Sequence, residues 1–180
     1  MNISTRKMVY LSFLIALSII LTRILSIRVA IGGVEGIRIG FGGLPIIFAG
    51  VLFGPLAGGI VGAVGDILGY VINPMGAYMP HFTLTSFLTG FIPGLIVYCV
   101  FNKKINYLTL LIAIAVGQAI TSVLLVPLFL DMLFGVPFRV VFIPRVVGQA
   151  IHIPVYAYLI KYLLRYDLIK SNCSECNASA

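Results

Sequence analysis

Charge is what this sequence lacks most. Only 9% of its 180 residues are charged and 61% are hydrophobic, whereas a soluble domain is about 25% charged and about 45–50% apolar. A soluble fold of this size cannot bury so much apolar surface, so a water-soluble enzyme is excluded. Disorder is excluded too, because disordered chains are poor in apolar residues. An integral membrane protein remains, with room for about six helices of roughly 20 residues each.

Residues that do chemistry are scarce as well. The chain has three Cys, two His and five acidic residues. The lone CxxC pair, Cys173 and Cys176, lacks the second ligand pair that a zinc site needs. His81 and His152 are far apart in sequence, and no GxSG motif offers a nucleophilic serine. We therefore expect no enzyme, no metal site and no cofactor.

Most of the hydrophobic residues fall in five continuous apolar blocks. They cover residues 8–25, 44–72, 82–101, 108–132 and 140–164. As one helix, the second block would reach about 43 Å, well beyond a hydrocarbon core of about 30 Å. Gly54-Pro55 near its middle is a turn signal. This block is therefore predicted to be a hairpin of two short helices, and the first block a retained first span rather than a cleaved leader.

The basic residues set the expected orientation, which also explains the net charge of +7 better than nucleic-acid binding does. Short basic clusters stand at Arg6-Lys7, at Lys103-Lys104 and around Lys161 and Arg165. Placing all three in the cytoplasm requires an even number of crossings between them. We predict an all-α bundle of six transmembrane helices with both termini cytoplasmic. Residues 1–170 would form a single membrane domain and residues 171–180 a disordered polar tail.

Three loops would then face outward, at residues 26–43, 73–81 and 131–138. Five glycines follow Arg28 in the first loop, up to Gly42, a composition that suits a lid. Thirteen of the nineteen glycines lie between Gly32 and Gly69. Gly58, Gly62 and Gly65 should let helix backbones approach closely. Short, Gly-interrupted membrane segments are also where transporters build substrate cavities.

Polar side chains concentrate towards this outer end. The set comprises Asp66, Asn73, Tyr78, His81, Arg139, Arg145 and Gln149. Ionisable groups at membrane depth are costly and usually face a cavity or a partner. Arginine pairs with carboxylates, aspartate accepts two N–H bonds, and aromatic faces stack on flat rings. The set suits a small anion that carries a planar donor/acceptor ring.

Four stretches of the sequence carry a family resemblance. They read RIGFGGLP over residues 38–45, FGPLAGG over 53–59 and, after Gly65-Asp66, NPMGAYMPHFTLT over 73–85 and LTGFIPG over 88–94. They resemble the substrate-binding (S) components of energy-coupling-factor vitamin transporters, most of all the folate-specific group. The resemblance covers most of residues 6–165.

The resemblance implies six helices, a vitamin bound from outside, and a membrane coupling subunit with two cytoplasmic ATPases as partners. The chain itself has no GxxxxGK[ST] motif, so ATP energy must come from another chain. The first helix of the family docks on the coupling subunit through small residues, typically AxxxA. Ser12 and Ala16 occupy the matching positions here.

For folate, Asp66 and Asn73 are expected near the pterin edge, Tyr78 or Phe82 on a ring face and arginines near the dicarboxylate. The full set of expected contacts adds Pro74, Phe82, Arg28 and Arg38 to the seven polar residues above. Structural roles stay open for the same residues: Asp66 could pair with an arginine at a helix end, and Asn73-Pro74 could simply form a turn. Another vitamin or precursor (riboflavin, thiamin, pantothenate) and a stand-alone secondary carrier are the alternative functions.

Overall fold

The protein is described by a computed structural model over residues 5–23, 27–31, 34–73, 78–101, 106–135 and 137–165. Pro74 and the polar tail at residues 171–180 lie outside these residues.

The described residues form six helical rods and one two-stranded hairpin. The segments in chain order are α1 (Thr5–Arg23), β1 (Ile27–Ile31), β2 (Val34–Ile39), α2 (Gly43–Phe53), α3 (Pro55–Ile72), α4 (Pro80–Leu95), π1 (Ile96–Val100), α5 (Tyr107–Gln118), π2 (Ala119–Leu125), α6 (Val126–Phe134) and α7 (Phe138–Arg165). Rod four is α4 continued by π1, and rod five is α5, π2 and α6 without a break. The predicted helical architecture is confirmed, although the structure adds the strands.

The predicted break in the second apolar block is confirmed. Helix α2 ends at Phe53, and Gly54 adopts φ 99°, a conformation that an L-residue with a Cβ atom rarely adopts. Pro55 then opens α3, where its fixed φ and missing N–H cost nothing. The hairpin therefore follows from two adjacent residues.

Helices α2, α3 and α4 pack backbone against backbone on glycines. A Cβ atom at Gly58 would lie 2.5 Å from the Gly50 Cα, and one at Gly90 would lie 2.5 Å from the Gly58 carbonyl carbon. A Cβ atom at Gly62 would likewise overlap the backbone of Ser86. The prediction of close approach is confirmed for Gly58 and Gly62. Gly65 makes only an ordinary contact, 3.6 Å from the Ser18 hydroxyl.

One apolar core joins the two halves of the chain. Its fully buried side chains include Ile47 of α2, Val61 of α3, Leu110 of α5 and Ile160 of α7. A smaller cluster of Val126, Leu130 and Val141 joins α6 to α7. Packing in these two cores holds together the rods that carry the polar residues.

Within the described residues, four rods are long and apolar enough to cross a membrane: Thr5–Arg23, Pro55–Ile72, Pro80–Val100 and Tyr107–Leu133. Helix α2 is apolar but has only 11 residues. Many large apolar side chains point outward; Phe13 is 65% and Leu108 69% exposed. Such a surface is expected in lipid and is rare on a soluble monomer.

The loop at residues 26–43, expected to be a lid, contains an antiparallel hairpin. Strand β1 pairs with β2, and the register is irregular between Val29 and Ala30. Arg28 and Arg38 stand opposite each other in this ladder.

Candidate functional site

Asp66 lies at the centre of a polar group that joins three helices; we call Arg23, Asp66, Thr83 and Tyr78 the outer cluster. Its Oδ1 is 3.7 Å from the Arg23 Nη2 of α1. The Thr83 hydroxyl of α4 donates to the other carboxylate oxygen at 2.8 Å. The side chains of Arg23 and Asp66 are only 10% and 18% exposed, so the pair is largely out of water. The structural role left open for Asp66, pairing with an arginine at a helix end, is what the structure shows.

The cluster extends to the end of α3 and the start of α4. Arg23 donates through Nη1 to the Asn73 carbonyl at 3.3 Å. The Tyr78 hydroxyl lies 2.9 Å from the Thr83 hydroxyl, and the Tyr78 ring stands 5.2 Å from that of Tyr70. Of the seven polar residues expected to cluster, the structure brings Asp66, the Asn73 backbone and Tyr78 together here.

Sequence reasoning missed Arg23 and Thr83. Arg23 is the basic residue in the last turn of α1, a position that commonly suits the helix dipole. Asp66 is the one acidic residue within an apolar block up to α4, and its need for a cation could have pointed to Arg23. Thr83 gave no such signal.

A second polar group follows one face of α7. Arg145, Gln149, His152 and Tyr156 are spaced by four, three and four residues, so they share one side of the helix. We call them the α7 stripe. His152 and Tyr156 are buried, Arg145 and Gln149 are half-buried, and Val147 and Ile151 on other sides are exposed. The stripe therefore faces the bundle.

Gln149 is hydrogen-bonded to a residue of π2. Its Nε2 donates to the Ser122 hydroxyl at 2.9 Å. Its Oε1 is buried and accepts no hydrogen bond from the residues that the structure describes. The π2 segment contains Ser122 and ends two residues before Pro127. The π-helical turn is rare in proteins, and where it occurs it is often at a functional site. This part of rod five is therefore a candidate for the lining of a ligand-binding site.

His152 and Tyr156 connect the stripe to the segment that follows β2. The His152 Nδ1 lies 2.7 Å from the Gly148 carbonyl oxygen. The Tyr156 hydroxyl donates to the Gly40 carbonyl at 2.8 Å. The Phe41 ring lies 6.1 Å from His152 and 6.3 Å from Tyr156. The chain after the strand hairpin is thus attached to α7, a contact that sequence reasoning did not find.

Three further predicted residues lie near the starts of α4 and α7: His81, Phe82 and Arg139. The exposed His81 ring stands 4.9 Å from Phe129. Phe82 packs against the small core of α6 and α7, and Arg139 is exposed. On α1, Ser12 and Ala16 are both exposed. No group of three or more His, Cys, Asp or Glu suited to a metal occurs in the described ranges.

Comparisons with known proteins agree with this architecture. The sequence model of the family "ECF-type riboflavin transporter, S component" matches residues 2–168. The folate transporter FolT of Clostridium novyi (strain NT) is 40% identical over 153 residues, which cover 85% of this chain and 84% of that protein. The FolT of Leuconostoc mesenteroides is 24% identical over 173 residues, covering 93% and 89%.

Two solved structures are similar in fold. A crystal structure of FolT bound with folic acid superposes with a TM-score of 0.76 at 27% identity, covering 91% of this chain and 96% of that one. The S component of a bacterial ECF transporter superposes with a TM-score of 0.60 at 24% identity, covering 89% and 98%. Together with the apolar rods, these likenesses show a multi-pass membrane protein. This chain belongs to the S-component family of ECF-type transporters.

Proposed function

We propose that this chain is the high-affinity folate-binding subunit of an ATP-driven uptake transporter. The observation that carries the proposal is its 40% identity to a folate transporter over most of both chains. The likeness in fold to FolT bound with folic acid supports the same ligand. Riboflavin is the second candidate, because the matching family is described by that vitamin.

The proposed ligand contacts include members of the outer cluster and of the α7 stripe. They are Asp66, Asn73, Pro74, Tyr78, His81, Phe82, Arg28, Arg38, Arg139, Arg145 and Gln149. Arginines suit the two carboxylates of folate, and tyrosine and phenylalanine suit its flat rings. Asp66 has a second role, because it also holds α1 and α4 through Arg23 and Thr83.

Titration calorimetry of the purified chain in detergent tests the ligand. We expect one folic acid per chain, bound without ATP or partner subunits, and much weaker binding of riboflavin and thiamin. Tight riboflavin binding with no response to folic acid would replace the ligand and leave the family intact.

We also propose six membrane crossings with both termini in the cytoplasm of a prokaryotic cell. Contacts of two basic side chains pair helix ends that this topology puts on the cytoplasmic side. Lys7 near the start of α1 lies 5.9 Å from the Phe53 ring at the end of α2. Lys161 near the end of α7 lies 5.6 Å from the Tyr107 ring at the start of α5. The positive-inside rule places these ends in the cytoplasm. Single cysteines labelled from outside test this: one near Met132 should react in intact cells and one near Lys7 should not.

Partner docking is proposed for α1. Ser12 and Ala16 are small, exposed and one turn apart, which permits close approach of another helix. The proposed partners are a transmembrane coupling subunit and two cytoplasmic ATPases, on which the bundle reorients to deliver the ligand. Ala16→Leu should abolish uptake by the whole complex while folic acid binding to the isolated chain stays unchanged. Normal uptake by this variant would place the docking surface elsewhere.

A further inference from the structure

We infer that Gln149 and His152 of the α7 stripe form a hydrogen-bond acceptor pair that reads an amino group on the ring of the ligand. The inference rests on the proposed folate-binding function and adds to it a contact that determines specificity.

The first acceptor is the Gln149 side-chain oxygen. Its amide nitrogen donates to the Ser122 hydroxyl at 2.9 Å, which leaves the oxygen on the other side of the amide. The oxygen is buried and lacks a donor among the described residues. A buried acceptor left without a donor is costly. A ligand N–H that reaches Oε1 would remove that cost, so the site favours a ligand with a donor at this point.

The second acceptor is the His152 Nε2. A carbonyl oxygen can only accept, so the contact between Nδ1 and the Gly148 carbonyl puts the proton of the neutral ring on Nδ1. Nε2 then carries a lone pair. Gln149 and His152 are three residues apart on α7, so they are neighbours on the same helix face. An amino group has two hydrogens and suits two such acceptors.

The ring beside the pair indicates a flat ligand. Phe41 is 43% exposed, and its ring lies 6.1 Å from that of His152. A planar ligand can stack on an exposed aromatic face while its edge meets the acceptors. The 2-amino group of the pterin is the ring donor of folate that fits this description.

Two matched substitutions at Gln149 test the inference. Gln149→Met keeps the length of the side chain and removes the acceptor. Gln149→Glu keeps a carboxyl oxygen as acceptor, and the Ser122 hydroxyl can donate to its other oxygen. We expect Gln149→Met to bind folic acid roughly 10- to 100-fold more weakly in titration calorimetry. We expect Gln149→Glu to bind within a few-fold of the unmodified chain, and both variants to keep its unfolding temperature without ligand.

An analogue identifies the group that is read. In this folic acid analogue a methyl group replaces the 2-amino group. The unmodified chain and Gln149→Met should bind it equally. Equal losses for folic acid and the analogue in Gln149→Met would overturn the inference, as would unchanged folic acid affinity. If the unmodified chain binds no folic acid, the proposed function fails and the inference with it. If it binds but Gln149→Met binds equally well, the inference alone fails.

Discussion

The two halves of the bundle are built differently. In α2, α3 and α4 the helices touch through Gly50, Gly58 and Gly90, and the adjoining carboxylate of Asp66 is paired with Arg23. The half that contains rod five and α7 has a buried amide oxygen on Gln149 with no donor in the described chain, on the face of α7 that contacts Ser122 of π2.

The difference distinguishes contacts that stabilise the fold from a group that is available to a ligand. Backbone contacts on glycine leave no side chain to rearrange, and the Asp66 carboxylate already has a partner within the chain. A buried acceptor without a donor is an incomplete arrangement that a ligand can complete. We therefore expect substitutions at the glycine contacts to change stability, and substitutions at Gln149 to change affinity.

The largest effect should come from Gly90→Ala. The new methyl group would meet the backbone of Gly58, which cannot move aside as a flexible side chain can. Overpacking of this kind costs about 3 kcal/mol at the upper end of its usual range. Thermal unfolding of the purified chain should show a large drop in midpoint. A midpoint equal to that of the unmodified chain would contradict the backbone contact.

Arg23→Met should come next, with a loss of about 2 kcal/mol. It leaves the largely buried carboxylate of Asp66 with Thr83 but without its cation. Adding Asp66→Asn to Arg23→Met should restore part of the loss, because the charge that needed a partner is gone. Unfolding curves of the single and double variants measure this coupling. Strictly additive losses would show that the pair contributes nothing.

Tyr156→Phe removes one hydrogen bond and should cost about 1 kcal/mol. The lost bond is the one to the Gly40 carbonyl, so the effect should be local to the segment after β2. Hydrogen exchange followed by mass spectrometry should show faster exchange around Gly40 to Gly43. Uniform acceleration over all rods would instead indicate a global role for Tyr156.

The smallest effect belongs to Gly148→Ala, the matched control for Gly90→Ala. A Cβ atom at Gly148 would meet no described atom within 4 Å, and the residue lies inside α7. Alanine is the better helix former by about 0.5–1 kcal/mol, so the unfolding midpoint should rise slightly. A drop comparable to that of Gly90→Ala would mean that both halves are packed equally tightly.

Much of the fold could be predicted because the membrane imposes few solutions. The apolar blocks, their lengths and the Gly54-Pro55 break predicted the helical rods and the hairpin between α2 and α3, and the structure confirms them. Of the seven polar residues expected to cluster, Asp66 and Tyr78 share a contact with Thr83. Their contact with a ligand stays a prediction.

Other features of the structure could not be predicted, because no repeating pattern in the sequence indicates them. The strand hairpin lies in a Gly-rich loop whose composition suggested a lid. Thr83 is an ordinary residue in an apolar helix until Asp66 and Tyr78 are placed beside it. The partner of Gln149 is Ser122, 27 residues away on another rod, and no local pattern links the two.

The sequence by itself determined that the protein folds in a lipid bilayer, where its helical rods lie along the chain and where the hairpin turns. These follow from hydrophobicity and from the allowed backbone angles of single residues, which are local properties. Only the tertiary structure decided that Arg23 satisfies Asp66 while the Gln149 oxygen has no described donor. Which polar groups are satisfied depends on distances between helices that are remote in sequence, and those distances are set by how the rods pack.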